Sequence, residues 1–258
     1  MWTRYFPISI YTRETIKSGK IGSVDRVFAD NSQGMPPETS FDDSHRMVNP
    51  DLAGGALLDL GIYALTWVFQ SLYNVAKEPK APNVVSQMRK YRLGTDEQTS
   101  MILTFPRSAE NGGDAQGIAT TGMRVANDPD KKNTAGPAIR IQGTKGELQI
   151  WPPIWRPTKS KLILADGTVE DKEWPQPGPG KGSGFYNGFG AINDEGEGHG
   201  MFWEADECAK QIQKGEKESS VQKLSESIVI MQVMDEVRRQ NDMKLPEKIE
   251  TTDYPVDL

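Results

Sequence analysis

Apolar residues along this chain recur first with a helical period, then with a strand-like one, and finally with a helical one again. Ile8, Thr12, Thr15 and Ile16 fall at helical spacing in a run from Ile8 to Ser18, which Gly19 and Gly22 end. Residues 23–30 are β-rich around Val24, Val27 and Phe28, and residues 31–50, with Pro36-Pro37 and Asp42-Asp43, read as a long polar loop. Gly55 to Tyr73 predicts a long apolar helix, buried nearly all round. Pro79 and Pro82 bound a linker, after which the period shortens to two.

Residues 84–91 and 100–105 read as strands, 109–113 as a turn, 117–124 as a weak strand and 127–136 as a polar loop. Ile139 and Ile141 alternate with Arg140 and Gln142. Gly143-Thr144-Lys145-Gly146 then turns, and Leu148 and Ile150 repeat the alternation, which predicts a hairpin. Leu162-Ile163-Leu164, Asp166-Gly167 and Thr168-Val169 predict a second one. Residues 175–200 are rich in Gly and Pro and have no period, which points to a flexible lid or a linker. Two helices follow. Residues 201–214 carry Phe202, Ala205, Cys208, Ala209 and Ile212 on one face, with Cys208 expected as inert packing. Residues 221–241 carry Val221, Leu224, Ile228, Met231, Met234 and Val237 on a stripe, with Ser219 and Gln222 as a candidate capping box.

Strands cluster in the middle and helices at the ends, with no regular β-α-β alternation. The expected class is α+β, an open and largely antiparallel sheet with helices on one face. Residues 1–258 are expected to form a single α+β domain for substrate binding and dimerisation. Within it, residues 1–80 carry the site, 81–174 the sheet, 175–200 a loop and 201–245 the closing helices.

Charge narrows the partners. A net charge of −6 and a pI of about 5.2 argue against nucleic acid, which needs a basic face, and weakly against an anionic membrane surface. No apolar run reaches about 18 residues without polar interruption, so no membrane span is expected. Residues 1–7 lack the apolar core of a secretory signal, and a single cysteine forms no internal disulfide, so the default setting is reducing and cytoplasmic. Two histidines, His45 and His199, with no further ligand at metal spacing, make a metal site improbable. His199 reads as a helix-start residue. The run Gly178–Gly184 lacks both the G-x-G-x-x-G spacing and a leading strand, so it is not a phosphate loop.

The segment Gly54-Gly55-Ala56-Leu57-Leu58-Asp59-Leu60-Gly61-Ile62-Tyr63 is the most informative. It sets a carboxylate, Asp59, and a phenol, Tyr63, four residues apart in an apolar run, on one face of a helix. A buried carboxylate needs a partner. A phenol with an unperturbed pKa near ~10 can act as acid or base when a cation lowers it. A core tyrosine whose hydroxyl is satisfied by Asp59 fits the pattern as well, and on the pair alone is favoured. Trp2, Arg4, Tyr5 and Phe6 form an aromatic-basic cluster suited to a sugar-like ligand, or else a frayed terminus. In Trp151-Pro152-Pro153-Ile154-Trp155, Trp151 reads as packing and Trp155 as a pocket wall.

Together with Ile141-Gln142-Gly143-Thr144-Lys145-Gly146 and Trp203-Glu204-Ala205-Asp206-Glu207, residues 1–7 and 54–63 resemble the Gfo/Idh/MocA oxidoreductases. The similar branch uses NADP to oxidise an aldose such as D-xylose at C1 or a related trans-dihydrodiol. The resemblance implies a C-terminal α+β domain that normally follows a Rossmann domain, and a homodimer formed through the sheet face. It implies Tyr63 as the acid/base, Asp59 as the acid beside it, and Trp2, Arg4 and Trp155 near the substrate cleft. The glycine fingerprint, the ribose-reading residue and the Glu-Lys-Pro lysine of the family are not in this sequence. Asp59 is therefore expected to lack its usual partner, NADP binding by this chain alone to fail and its turnover to be weak or nil. The alternative is a truncated, non-catalytic oligomerising or sugar-binding domain.

Overall fold

A computed structural model describes residues 1–185 and 196–254. A short 3-10 turn, Trp2–Tyr5, leads into α1 (Pro7–Lys17), whose Pro7 sits in the first turn, where a missing N–H does no harm. β1 (Val24–Ser32) follows, then the four-residue α2 (Pro37–Ser40) and a 3-10 turn at Pro50–Leu52. Residues 31–50 are therefore not all loop. The strand runs on to Ser32, and Met47 and Val48 turn back into a small second core with Ala56, Leu60, Tyr91 and Met123.

The apolar helix comes in two parts. Leu57–Gly61 is a π-helical turn, and α3 (Ile62–Leu72) continues it as α-helix. All nine residues from Ala64 to Leu72 are buried. By length and composition Pro50–Leu72 would suffice to cross a bilayer, which the sequence reading did not anticipate. In this fold it is a core helix, with 67% of its most apolar window buried.

The sheet has eight strands: β2 (Asn83–Lys90), β3 (Asp96–Phe105), β4 (Ala115–Gly122), β1, β5 (Ile139–Gly143), β6 (Gly146–Ile150), β7 (Lys159–Leu164) and β8 (Val169–Glu173), in the order β2-β3-β4-β1-β5-β6-β7-β8. Only β1 and β4 pair parallel; every other neighbour is antiparallel. Both expected hairpins are present, with Gly143 opposite Gly146 and Ile163 opposite Val169. One face carries Val27, Met101, Leu103, Ala119, Ile139, Ile141, Leu148 and Leu162 into a core shared with α1, α3 and α5 (Leu224–Gln240).

The closing helices depart from their sequence reading. α4 (Phe202–Gln213) buries no residue completely, and Cys208 is exposed rather than packed. α5 begins at Leu224, so Ser219 and Gln222 do not cap it; Ser219 instead accepts from the Val221 N–H and donates to Glu207. Its core side is Glu226, Ile230, Val233, Met234 and Val237, while Leu224, Ile228 and Met231 face outward. At its end, the Gln240 amide accepts from the Ser86 N–H (2.8 Å) and donates to the Val84 carbonyl (2.7 Å). Asn241 accepts from the Met88 N–H (2.9 Å). These side chains satisfy the free edge of β2. The other edge, β8, is short and highly charged, which discourages further pairing. A last helical turn, α6 (Glu247–Glu250), ends the described elements.

Candidate active site: aromatic rings around Tyr63

The π turn is built by three neighbours. Asp96, fully buried at the start of β3, accepts the Leu57 N–H (2.8 Å) and the Thr99 hydroxyl (2.8 Å) on Oδ2. It therefore tethers the first turn as a helix-capping carboxylate would. Burial pushes its carboxyl up to about 6 despite those donors. Gly55 (φ +130°) leaves it room, since a Cβ there would lie 2.2 Å from Asp96 Oδ1. From β1, Asn31 donates to the Leu60 carbonyl (2.9 Å), and from β4 the Thr121 hydroxyl reaches the Ala56 carbonyl (3.4 Å). A π turn displaces backbone groups from the α-helical ladder, and these polar side chains meet them.

Asp59, on that turn, pairs with Arg46, which stands in no position the sequence reading had assigned. The pair lies at the surface, with side-chain exposures of 32% for Asp59 and 65% for Arg46. Tyr63, half-buried one turn on, is not satisfied by Asp59. Its Oη accepts the indole N–H of Trp2 at 3.1 Å, which leaves the phenolic proton free to be donated elsewhere. Burial raises the Tyr63 phenol above its ordinary value, and the Asp59 charge adds to that, while the Trp2 hydrogen bond and Arg46 oppose it.

Around this hydroxyl stand aromatic rings. Trp2 is edge-on to Tyr63 (centroids 6.3 Å apart) and to Phe6 (5.4 Å). Trp155 lies 6.2 Å from Trp2, and His199 lies 6.4 Å from Trp2 and 6.1 Å from Trp155. Thr3 Oγ1 donates to the Trp155 carbonyl (2.8 Å) and Trp67 Nε1 to the Ile154 carbonyl (2.9 Å), which pins the loop after β6. Buried Arg156 binds Glu197 (2.9 Å) and the Gly198 carbonyl (3.0 Å), which fixes the backbone beside His199. So Gly196–Gly200, one described end of the loop read as a lid, is fastened to the site; residues 186–195 of that loop lie outside the described residues. Trp151 is buried beneath Lys159 and Lys161, as packing.

The structure thus brings together Trp2, Asp59, Tyr63 and Trp155, and it does not bring Arg4. Arg4 is fully buried and ion-paired to Glu226 of α5, which also accepts from Asn74 (3.0 Å). Arg13 donates to the Arg4 carbonyl and to Gln70. A guanidinium with no exposure cannot reach a ligand beside Tyr63, so its expected role is replaced by a structural one. Sequence reasoning missed Arg46 and His199. His199 was visible as one of two histidines, but nothing local placed it beside tryptophans. His45, the other, stacks on Phe41. Among the described residues no group of His, Cys, Asp and Glu could hold a metal.

The model of the GFO/IDH/MocA C-terminal domain matches residues 10–149, more than half of the chain. The chain belongs to the Gfo/Idh/MocA family. It is 47% identical to the D-xylose 1-dehydrogenase (NADP(+)) of Hypocrea jecorina over 98% of its own length and 62% of that protein's. It is 32% identical to the human trans-1,2-dihydrobenzene-1,2-diol dehydrogenase over 96% of its length and, again, 62% of that protein's. The chain therefore spans about three fifths of the relatives it matches. Its fold is similar to that of the aldose-aldose oxidoreductase from Caulobacter crescentus, a structure complexed with glycerol (TM-score 0.62, 18% identity, 94% of this chain and 60% of that one). It is also similar to the 3-ketoreductase KijD10 from Actinomadura kijaniata, in complex with NADP (TM-score 0.61, 17% identity, 93% of this chain and 61% of that one).

Proposed function

We propose that this chain is the substrate side of an NADP-dependent dehydrogenase. It would oxidise an aldose such as D-xylose at C1, or a related trans-dihydrodiol, with Tyr63 handling the hydroxyl proton. One observation carries the reading: a half-buried phenol, held by Trp2, stands among aromatic rings beside an acid. The names of two relatives support the substrate class and the cofactor.

The described residues contain no glycine-rich turn between a strand and a helix, the arrangement that cradles a dinucleotide pyrophosphate. They do not fit the nucleotide, which this reading assigns to a separate nucleotide-binding unit. When bound, the nicotinamide carries the hydride. The chain's own residues orient the sugar and move its proton. Trp2, Trp155 and His199 offer ring faces to the apolar side of a sugar, and Trp2 fixes the direction of the Tyr63 hydroxyl. The neutral phenol favoured by burial is the acid required when a carbonyl oxygen is protonated. Removing a hydroxyl proton calls for the phenolate, which a cation next to Asp59 would favour. Asp59 and Arg46 together set the field there. The reading includes a homodimer formed through the sheet face that the helices leave uncovered.

NADP-linked oxidation of D-xylose and of a trans-dihydrodiol, measured on the complete protein that contains this chain, tests the proposal. Tyr63→Phe is expected to lower kcat by about 10²–10⁴-fold with little change in KM. An unchanged kcat would remove Tyr63 from the chemistry, and oxidation of neither substrate would overturn the assignment.

A further inference from the structure

Asp59 and Tyr63 do not meet as their spacing predicts. In an unbroken α-helix, side chains four apart lie on one face with Cβ atoms about 5–6 Å apart, and an aspartate there can accept the tyrosine hydroxyl. Here Asp59 turns to Arg46 instead, and the Tyr63 oxygen takes the Trp2 indole N–H. The cause lies between the two residues. Leu57–Gly61 is π-helical, and a π turn holds one residue more than the α turn it replaces. It therefore rotates the groups on its two sides relative to each other by up to about 100°, one residue's step around the axis. That step takes the Asp59 carboxylate off the Tyr63 hydroxyl and onto the side where Arg46 stands.

A single π turn inside an α-helix is rare and recurs at functional sites. This one is held from three different strands. Asp96 of β3 takes the Leu57 N–H, Asn31 of β1 donates to the Leu60 carbonyl, and Thr121 of β4 reaches the Ala56 carbonyl. All three side chains are fully buried. Burying a polar side chain is costly unless it is bonded, and these bond to the backbone of this one turn. Two glycines bracket it and let the strands come close. A Cβ at Gly55 would lie 2.2 Å from Asp96 Oδ1, and one at Gly61 would lie 3.3 Å from Thr121 Cγ2.

We infer that the π turn keeps Asp59 from capturing the Tyr63 proton, and that Asp96, Asn31 and Thr121 are positioning residues for the transfer of that proton. This deepens the functional reading and rests on it. A carboxylate that accepted the phenolic hydrogen would hold the phenol neutral and leave it no proton to give a substrate oxygen. Held a step away, Asp59 acts on Tyr63 through its charge alone, with Arg46 opposing it.

The ultraviolet tyrosinate titration of Tyr63, isolated by difference from Tyr63→Phe in the complete protein that contains this chain, tests the inference. Circular dichroism checks that each variant is folded. Asp96→Ala and Asn31→Leu release the turn at different points, whereas Asp96→Asn keeps an acceptor for the Leu57 N–H. The first two are expected to make Tyr63 hold its proton about tenfold more tightly, because Asp59 then accepts it. Adding Asp59→Ala to either is expected to cancel that gain, as a cycle of coupled residues should. Asp96→Asn is expected to titrate as wild type. In turnover, Asp96→Ala and Asn31→Leu are expected to lower kcat about tenfold with KM within about threefold, and Asp96→Asn to restore kcat. Folded variants that leave the Tyr63 titration at its wild-type position overturn the inference, and so does a gain that survives Asp59→Ala. Should Asp96→Ala not fold, Asn31→Leu decides alone. An unchanged kcat in Tyr63→Phe would instead remove the functional reading, which the titration does not measure, so the two failures show in different experiments.

Discussion

Two arginine–carboxylate pairs lie at opposite depths of the fold, and they do opposite things. Arg4–Glu226 is sealed in the core and joins the N-terminal turn to α5. Arg46–Asp59 sits in solvent on the rim, beside the phenol. The first has given up all hydration, so its worth lies in geometry, and losing either member strands a charge in a low-dielectric interior. The second keeps its water, so it contributes little to stability. Because it stays polarisable and accessible, it can influence the charge of a neighbouring group and of a ligand. Equal chemistry thus serves as a fastener at one depth and as an electrostatic control at another.

The fastener should give the largest effect when broken. Glu226→Ala is expected to destabilise the chain by about 3–5 kcal/mol, read from the urea midpoint at unchanged m-value. A shift below ~1 kcal/mol would contradict the assigned burial. Asp96 sharpens the contrast, because it is buried without any cation. Its carboxyl is raised from 3.8 to about 6 in the fold. The folded protein therefore takes up this proton at a higher pH than the unfolded chain does. The stability linked to Asp96 is fully present below pH 3.8 and is lost as pH rises through about 6. Relative to Asp96→Asn, the wild type should gain up to roughly 3 kcal/mol between neutral pH and pH 4, and parallel stability curves for the two proteins would refute it.

Smaller effects follow at the rim. Trp2→Phe keeps a ring but removes the donor to Tyr63, at about 0.5–1.5 kcal/mol in unfolding free energy. With that bond gone, the tyrosinate ultraviolet titration assigned to Tyr63 by comparison with Tyr63→Phe should move still higher in pH, because the Trp2 hydrogen bond holds the phenol down. Arg46→Ala should change stability by no more than ~1 kcal/mol, with an upward drift of the same titration. A large loss of stability there would erase the distinction between the two pairs.

Much of this was legible in the chain, for reasons of range. Helix α1, the hairpins β5–β6 and β7–β8, and the pairing of an apolar run with Asp59 and Tyr63 are written in neighbouring residues. Trp2 and Trp155, whose rings lie 6.2 Å apart, could be grouped only through the family resemblance. Arg4 could not be placed correctly, because its partner is 222 residues away. Arg46 is only 13 residues from Asp59, but it lies in a polar stretch with no period to fix its direction. The stripe on α5 is right at Met234 and Val237 and wrong at Leu224, Ile228 and Met231, because the helix is apolar on more than one side. Leu224, Ile228 and Met231 continue that stripe as well as Ile230 and Val233 do, and only the sheet decides between them. The π turn left no trace in composition, since it is imposed by Asp96, Asn31 and Thr121 from three other strands or loops.

The amide of Gln240 holds the outer rim of β2 from 154 residues further along the chain. During synthesis, that rim is complete long before its cover has been made. Until α5 has emerged from the ribosome, the nascent protein presents an adhesive ribbon that another molecule's strand could join, so the order of translation itself makes the late arrival of α5 the moment at which this sheet stops being sticky.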